Sequence, residues 1–233
     1  MSAGYSERFQ RYKKAVIGSA RANHTFYKRL DTIKELGRGL NGNILDIGCG
    51  YGFRTIGLSE QISGDVVGVD TDKERIAEAE TYVKENKIEN CRFETMDAAR
   101  LAFKSSSFDV IVADEMIHHV EDLSRVLREM YRVLRKGGVA VISDHNKWSV
   151  ASELVRFAHF GSQREKLFSA KEIASRFKKT GFNHIKSKHI LFTLPFHHLP
   201  KTVMKWNYRI ENCIEKTPLL KYQCGVYVVR GVK

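Results

Sequence analysis

Prolines are scarce, three in 233 residues, and no tract of low complexity breaks the chain. Both observations argue against long linkers and disordered arms, and the length suits one domain of generous size. No apolar run approaches the ~20 residues that span a bilayer. The opening segment MSAGYSERFQRYKK lacks the apolar stretch of a secretory signal, so a cytoplasmic, reducing setting is expected. Cysteine is sparse too. Cys49, Cys91, Cys213 and Cys224 form no C-x-x-C pair and no metal-ligand spacing, and His197-His198 have no cysteine or carboxylate nearby. Neither a disulfide framework nor a metal centre is expected.

Negative charge is the other shortage. The chain holds 39 Lys and Arg against 27 Asp and Glu, a net +12, and the imbalance is local. Residues 1–36 carry eight basic and three acidic side chains (+5), residues 37–144 fourteen and nineteen (−5), and residues 145–233 seventeen and five (+12). An acidic middle between basic flanks points to an anionic partner at the flanks, whether substrate, nucleic acid or membrane surface. The plainer reading is a solvated basic surface.

What is present is an ordered alternation of short apolar runs and helical patterns. Residues 5–36 space Tyr5, Phe9, Tyr12, Val16 and then Phe26, Leu30, Ile33 as one or two helices. Buried strands are expected at 43–47, 65–69, 91–94 and 108–113, and a fifth at 139–143 after a Gly137-Gly138 turn. Helices fall between them at about 53–61, from the capped start Thr71-Asp72-Lys73-Glu74 to about 86, and at 122–134. This alternation implies parallel pairing through right-handed crossovers, and the nearly all-apolar strands fit a sheet covered on both faces. Beyond Asp144, helices are expected near 148–160 and 169–180 and strands at 184–192 and 225–230. Pro195 to Tyr222, between those strands, reads as an inserted helical lid. The expected division is a helical cap (1–36), a core (43–144) and a substrate-side region (145–233).

The strongest local signal is Ile44-Leu45-Asp46-Ile47-Gly48-Cys49-Gly50-Tyr51-Gly52-Phe53, a buried strand running through three glycines into a helix. Glycines there let the backbone turn sharply and approach a ligand closely. Asp46, two residues before the first glycine, would oppose a phosphate and suits a cation such as an amino acid's amino group. Asp70 ends the second strand 22 residues after Gly48, the spacing of a ribose-binding acid. Asp97, past the third strand, is placed to accept from an adenine amino group. Ribose, adenine and a cationic amino acid together describe S-adenosyl-L-methionine.

Residues 43–144 resemble the core of the class I methyltransferases of the ubiquinone/menaquinone methyltransferase-like (type 11) family. ILDIGCGYGF is similar to that family's cofactor loop and VVGVDTD to its ribose-binding strand end. MDAARLAFKSSSFDVIVADEMIHHV resembles the adenine segment, fourth strand and following turn, and LREMYRVLRKGGVAVIS the passage into strand five. The resemblance implies a Rossmann-like α/β fold: a seven-stranded, mostly parallel sheet with helices on both faces and an antiparallel last strand. It implies that Asp46, Gly48 and Gly50, with Cys49 between the glycines, cradle the methionine part. Asp70 and Thr71 would hold ribose, Asp97 and Ala98 frame adenine, and the backbone around Ala113-Asp114 face the activated methyl.

Methyl transfer from a sulfonium is an in-line displacement, so positioning and desolvation carry much of it. A base is needed only when the acceptor must lose a proton. Candidates follow strand four. His119 matches a histidine common in the family, His118 is an addition, and Glu115 would orient a histidine or touch substrate. Tyr5, Tyr12 and Tyr27 are placed to cover the cofactor pocket. Trp148, Phe157, Phe160, Phe192, Phe196 and Trp206 are candidates for an apolar acceptor pocket, with core packing as the alternative for both sets. No RNA-binding module is appended, ADEMIHH lacks the Asn/Asp-Pro-Pro-aromatic segment of certain nucleic-acid enzymes, and the lid mixes aromatics with basic residues. The expected acceptor is a small or lipid-like molecule with an anionic head, methylated on oxygen or carbon, and peripheral membrane contact is compatible. The alternatives are an RNA methyltransferase using the basic flanks and a non-catalytic cofactor-binding subunit. A nicotinamide dehydrogenase fits Asp46 and Asp97 poorly.

Overall fold

The computed structural model describes residues 6–17, 20–149, 166–191 and 201–233. Its strands are β1 (Ile44–Ile47), β2 (Val66–Asp70), β3 (Cys91–Thr95), β4 (Phe108–Asp114), β5 (Leu134–His145), β6 (Asn183–Ile190) and β7 (Val226–Val232). They form one sheet in the order β3-β2-β1-β4-β5-β7-β6. β1 to β5 pair in parallel, while β7 lies antiparallel between β5 and β6, as expected from the sequence.

Strand alternation divides the apolar side chains between two layers. Ile44, Val66, Val110, Val112, Val139 and Val141 face α1 (Glu7–Ile17), α2 (Ala20–Leu36) and α3 (Phe53–Ser59), where Phe9, Phe26, Leu30, Ile33 and Leu58 cover them. Leu45, Val67, Ile111, Ala140 and Ile142 face the other way, against α5 (Leu123–Val133) and α6 (Ala170–Thr180). Each large side chain so buried stabilises the fold by ~1.5–3 kcal/mol. α4 (Lys73–Glu85) covers β3 with Ile76, Ala79 and Val83.

Helix starts are set locally. Asp72 accepts the N–H groups of Glu74 and Arg75, Asp122 that of Arg125, and Ser169 forms a reciprocal capping box with Glu172. The insert contains α7 (Lys201–Lys216) and a 3-10 turn, Leu220–Gln223. No helix among the described residues is long and apolar enough to cross a membrane.

Several expectations are corrected. β5 begins at Leu134, earlier than expected, but left-handed Gly137 (φ +80°) lies in the irregular stretch between the Phe108–Leu134 and Val110–Val139 pairs, so regular pairing starts at Val139 after the two glycines. Trp148 is exposed and does not line the cavity described below, and Tyr27 stands on the surface against Phe26. Tyr5, Phe157, Phe160, Phe192, Phe196 and His197-His198, the expected helix at 148–160 beyond Ser149, and the side chain of Trp206 lie outside the described residues.

Candidate functional site

The carboxyl ends of β1, β2, β4 and β5 converge on one cavity of about 1010 Å³. That is the upper end of the range of small-molecule sites, ~300–1,000 Å³, and strand ends are where such sheets bind ligands. After β1 the loop is tied to β2, with Gly48 N–H donating to Val69 O at 2.8 Å and Cys49 N–H to the same oxygen at 3.1 Å. Gly48 has φ +75°, and a Cβ there would lie 2.5 Å from Met116 Cβ. Gly50 has φ +56° and opens onto space, since its nearest neighbour would be Arg75 Nη1 at 4.0 Å.

The same loop fixes the ribose candidate. Asp70 Oδ2 accepts Gly50 N–H at 2.9 Å and Oδ1 accepts Asp72 N–H at 3.0 Å. Each oxygen keeps a second lone pair for a diol. Asp97 Oδ1 accepts Ala99 N–H at 2.8 Å, which sets the turn that presents Ala98. Cys49 packs its sulfur beside Gly68, and burial, with Asp46 and Asp70 nearby, pushes its thiol well up, so it is an inert wall.

Asp46 is buried and accepts the Thr55 hydroxyl at 2.6 Å. No lysine or arginine pairs with it among the described residues. Burial pushes its carboxyl up to about 7, against the lowering effect of Thr55.

Two arginines that the sequence did not single out form the adjoining wall. Arg29, fully buried on α2, donates through Nε to Asp114 Oδ1 at 3.2 Å and pairs through Nη1 with Glu115 Oε1 at 3.0 Å. Arg54 on α3 places Nη2 2.7 Å from Glu115 Oε2. Its Nε lies 2.7 Å from Asp114 Oδ2, a charge contact without hydrogen-bond alignment. Burial alone would raise the Glu115 carboxyl, but Arg29, Arg54 and His145 outweigh it and hold the group well below the ordinary range. Glu115 also takes a left-handed φ of +53°, a strained backbone costing on the order of 1 kcal/mol.

The two histidines differ in setting. His118 is buried in the 3-10 turn Ile117–His119, with Nδ1 2.7 Å from Asp144 Oδ1. Asp144, itself buried at the end of β5, also accepts the backbone N–H of His118 at 3.3 Å and of His145 at 2.6 Å. Held by these donors, Asp144 orients the imidazole ring. His119 is exposed, its ring centroid 4.0 Å from that of His118.

All twelve residues singled out in the sequence (Asp46, Gly48, Cys49, Gly50, Asp70, Thr71, Asp97, Ala98, Asp114, Glu115, His118 and His119) line this cavity, as does Tyr12. The sequence reading missed Arg29, Arg54, Thr55, Asp144 and His145. Asp144 was within reach of it, because it stands near the end of β5 as Asp70 stands at the end of β2. No described residue of the insert lines the cavity. Instead Glu211 of α7 is held by Lys28 and lies 3.2 Å from His24 Nε2, both on α2.

Residues 40–212 match a methyltransferase domain family. The chain is 35% identical over 102 residues to the uncharacterized methyltransferase YcgJ of Bacillus subtilis, a match covering 44% of this chain and 40% of that protein. It is 36% identical over 115 residues to a demethylmenaquinone methyltransferase of Lactococcus lactis, covering 48% of this chain and 46% of that one. The chain thus spans less than half the length of these relatives. A crystal structure of a SAM-dependent methyltransferase from Archaeoglobus fulgidus shares the fold, with a TM-score of 0.68 at 18% identity over 98% of this chain and 100% of that one.

Proposed function

This chain belongs to the class I S-adenosylmethionine-dependent methyltransferases, and on that premise we propose that it methylates a small or lipid-like acceptor on an oxygen or an acidic carbon. The residues present fit the cofactor. The Gly50 cradle is open where a side chain would intrude, Asp70 keeps lone pairs for a diol, and Asp46 is a buried acid with which no lysine or arginine pairs among the described residues. Asp46 and the Gly48–Gly50 backbone would hold the methionine part, Asp70 and Thr71 the ribose, Asp97 and Ala98 the adenine. When bound, the cofactor supplies an electrophilic methyl group on a sulfonium.

The His118–Asp144 pair carries the choice of acceptor atom, because His118 lines the same cavity as the glycine loop while Asp144 holds it from behind. With Nδ1–H donating to Asp144, Nε2 of His118 is the accepting nitrogen. It would take the proton of the acceptor's hydroxyl or acidic carbon, and Asp144 would stabilise the resulting imidazolium. A hydroxyl or an acidic carbon needs that service. His119, at the exposed edge, is assigned to acceptor contact. The Arg29–Arg54–Asp114–Glu115 wall positions the turn that carries His118. The insert at 195–222 is assigned to acceptor selection, since the cofactor-binding groups are complete without it.

The test is incubation of cell extract with isotope-labelled S-adenosylmethionine and the protein, followed by mass spectrometry. A labelled small molecule or lipid, modified on oxygen or carbon, supports the reading. Label in RNA, or tight cofactor binding with no labelled product in any class, overturns it.

A further inference from the structure

Among the described residues seven large apolar or aromatic side chains are exposed, and four of them come from one region: Trp148, Leu219, Leu220 and Tyr222. Leu219 is 82% exposed, an extreme that burial elsewhere in the fold does not require. The region is tied together by Asn146, whose Nδ2 donates to Tyr222 O at 2.8 Å and Cys224 O at 2.9 Å while its Oδ1 accepts Trp148 N–H at 3.3 Å. Each aromatic ring has a lysine over it, Lys147 at 5.3 Å from Trp148 and Lys221 at 5.4 Å from Tyr222.

Charge on this tip is sorted. α7 has two acids, and both turn inward. Glu211 is wholly buried against Lys28 and His24, and Glu215 accepts Leu191 N–H at 2.8 Å and pairs with Lys28 at 2.6 Å. Lys147 pairs with Glu172 at 2.9 Å. The remaining charges of the segment 209–222 are basic: Arg209 and Lys216, both exposed, and Lys221, half-buried over the Tyr222 ring.

We propose that Trp148, the end of α7 and the turn through Tyr222 form a docking surface for an anionic lipid bilayer. Tryptophan and tyrosine settle at the headgroup level, leucines enter the acyl boundary, and lysines meet anionic headgroups. A second copy of the chain is a poor occupant, because a symmetric contact would set like basic charges against each other. RNA is poorer: Trp148 and Tyr222 could stack on bases, but Leu219 and Leu220 would stay in water beside a phosphate backbone. Trp148 follows the cavity-lining His145 by three residues, so docking here brings the cavity mouth beside the headgroups. The surface stands on its own charges and side chains, whatever the acceptor is.

The test is co-sedimentation of the full chain with phosphatidylcholine vesicles, with and without phosphatidylglycerol, needing no turnover. Binding is expected only with the anionic lipid and should fade with salt. Lys216→Glu with Lys221→Glu should weaken partitioning at least ~10-fold, and Leu219→Ser with Leu220→Ser several-fold. Lys104→Glu with Lys136→Glu, far along the chain from the tip, should leave it unchanged, and cofactor affinity should be the same in every variant. No binding by the wild type, equal binding to both vesicle types, or unchanged binding by the tip variants overturns the proposal. So does a dimer that Leu219→Ser with Leu220→Ser dissociates while vesicle binding is absent.

Discussion

Asp46→Asn should turn a pH-dependent site into a pH-independent one. Asp46 is buried on the β1 side of the cavity, and its carboxyl is pushed up to about 7 from an ordinary 3.8, chiefly because burial penalises the charge. Thr55 opposes that rise through its hydrogen bond, and Asp114 adds to it. The sign follows from which state holds the proton. Between about pH 4 and about pH 7 the folded chain keeps a proton that the unfolded chain has lost, so this group's contribution to stability falls as pH rises. Above about pH 7 the contribution is gone, a change on the order of 4 kcal/mol. Asparagine keeps an acceptor for the Thr55 hydroxyl and carries no charge. The cofactor-free Asn variant should therefore match the wild type near pH 4 and exceed its stability increasingly toward pH 8.

Cofactor binding reverses the preference. A cationic amino group beside Asp46 favours the ionised form, so wild-type binding near neutral pH should release part of a proton and strengthen as pH rises through about 7. The variant should bind weakly with no such slope. Urea midpoints across this pH range give the stability difference, and calorimetry in two buffers of different ionisation enthalpy gives the proton count. Parallel stability curves for wild type and variant, or binding without proton release, would refute the reasoning.

Asp70→Ala should weaken cofactor binding by roughly 1.5–3 kcal/mol, and unchanged calorimetric affinity in a folded variant would remove Asp70 from the site. Gly48→Ala drives a Cβ to 2.5 Å from Met116 at a left-handed φ and should cost roughly 1–3 kcal/mol in denaturation, whereas Gly50→Ala, without the collision, should cost about 1 kcal/mol and act mainly on cofactor affinity. Arg29→Ala leaves Asp114 buried beside one fewer cation and should destabilise by ~3–5 kcal/mol, measured by the same denaturation. His118→Gln should lower turnover ~10²–10⁴-fold and flatten its pH–rate profile while cofactor affinity holds; a large loss in His119→Gln with near-normal His118→Gln would transfer the role to His119.

Much of the sheet was legible because its information is local. A buried parallel strand needs only a short apolar run, and the loop after β1 announces itself because Gly48 and Gly50 must adopt positive φ. Asp70 could be placed by counting from the glycines. What could not be read were contacts that join distant segments. Arg29 and Asp114 are 85 residues apart, and Arg29 sits on a helix whose pattern reads as an ordinary amphipathic cap. His118 and Asp144 are 26 residues apart, and nothing in the adjacent pair His118-His119 says which imidazole turns inward. Only the approach of β5 to the turn after β4 decides it.

The charge division of the chain acquires a physical meaning on α2. Two consecutive residues of that helix reach in different directions. Arg29 passes over the end of β4 to Asp114 and Glu115, while Lys28 turns to Glu211 and Glu215 of α7. The basic cap thus neutralises acids of the core on one side and of the insert on the other. Because each of these carboxylates would be costly to bury alone, the cap, the cavity wall and the insert are energetically dependent on one another. That dependence also explains why neither acid of α7 is available to offset Lys216 at its exposed end. Glu211 and Glu215 have been drawn inward to hold the helix on α2, and Lys216 beside them is left exposed.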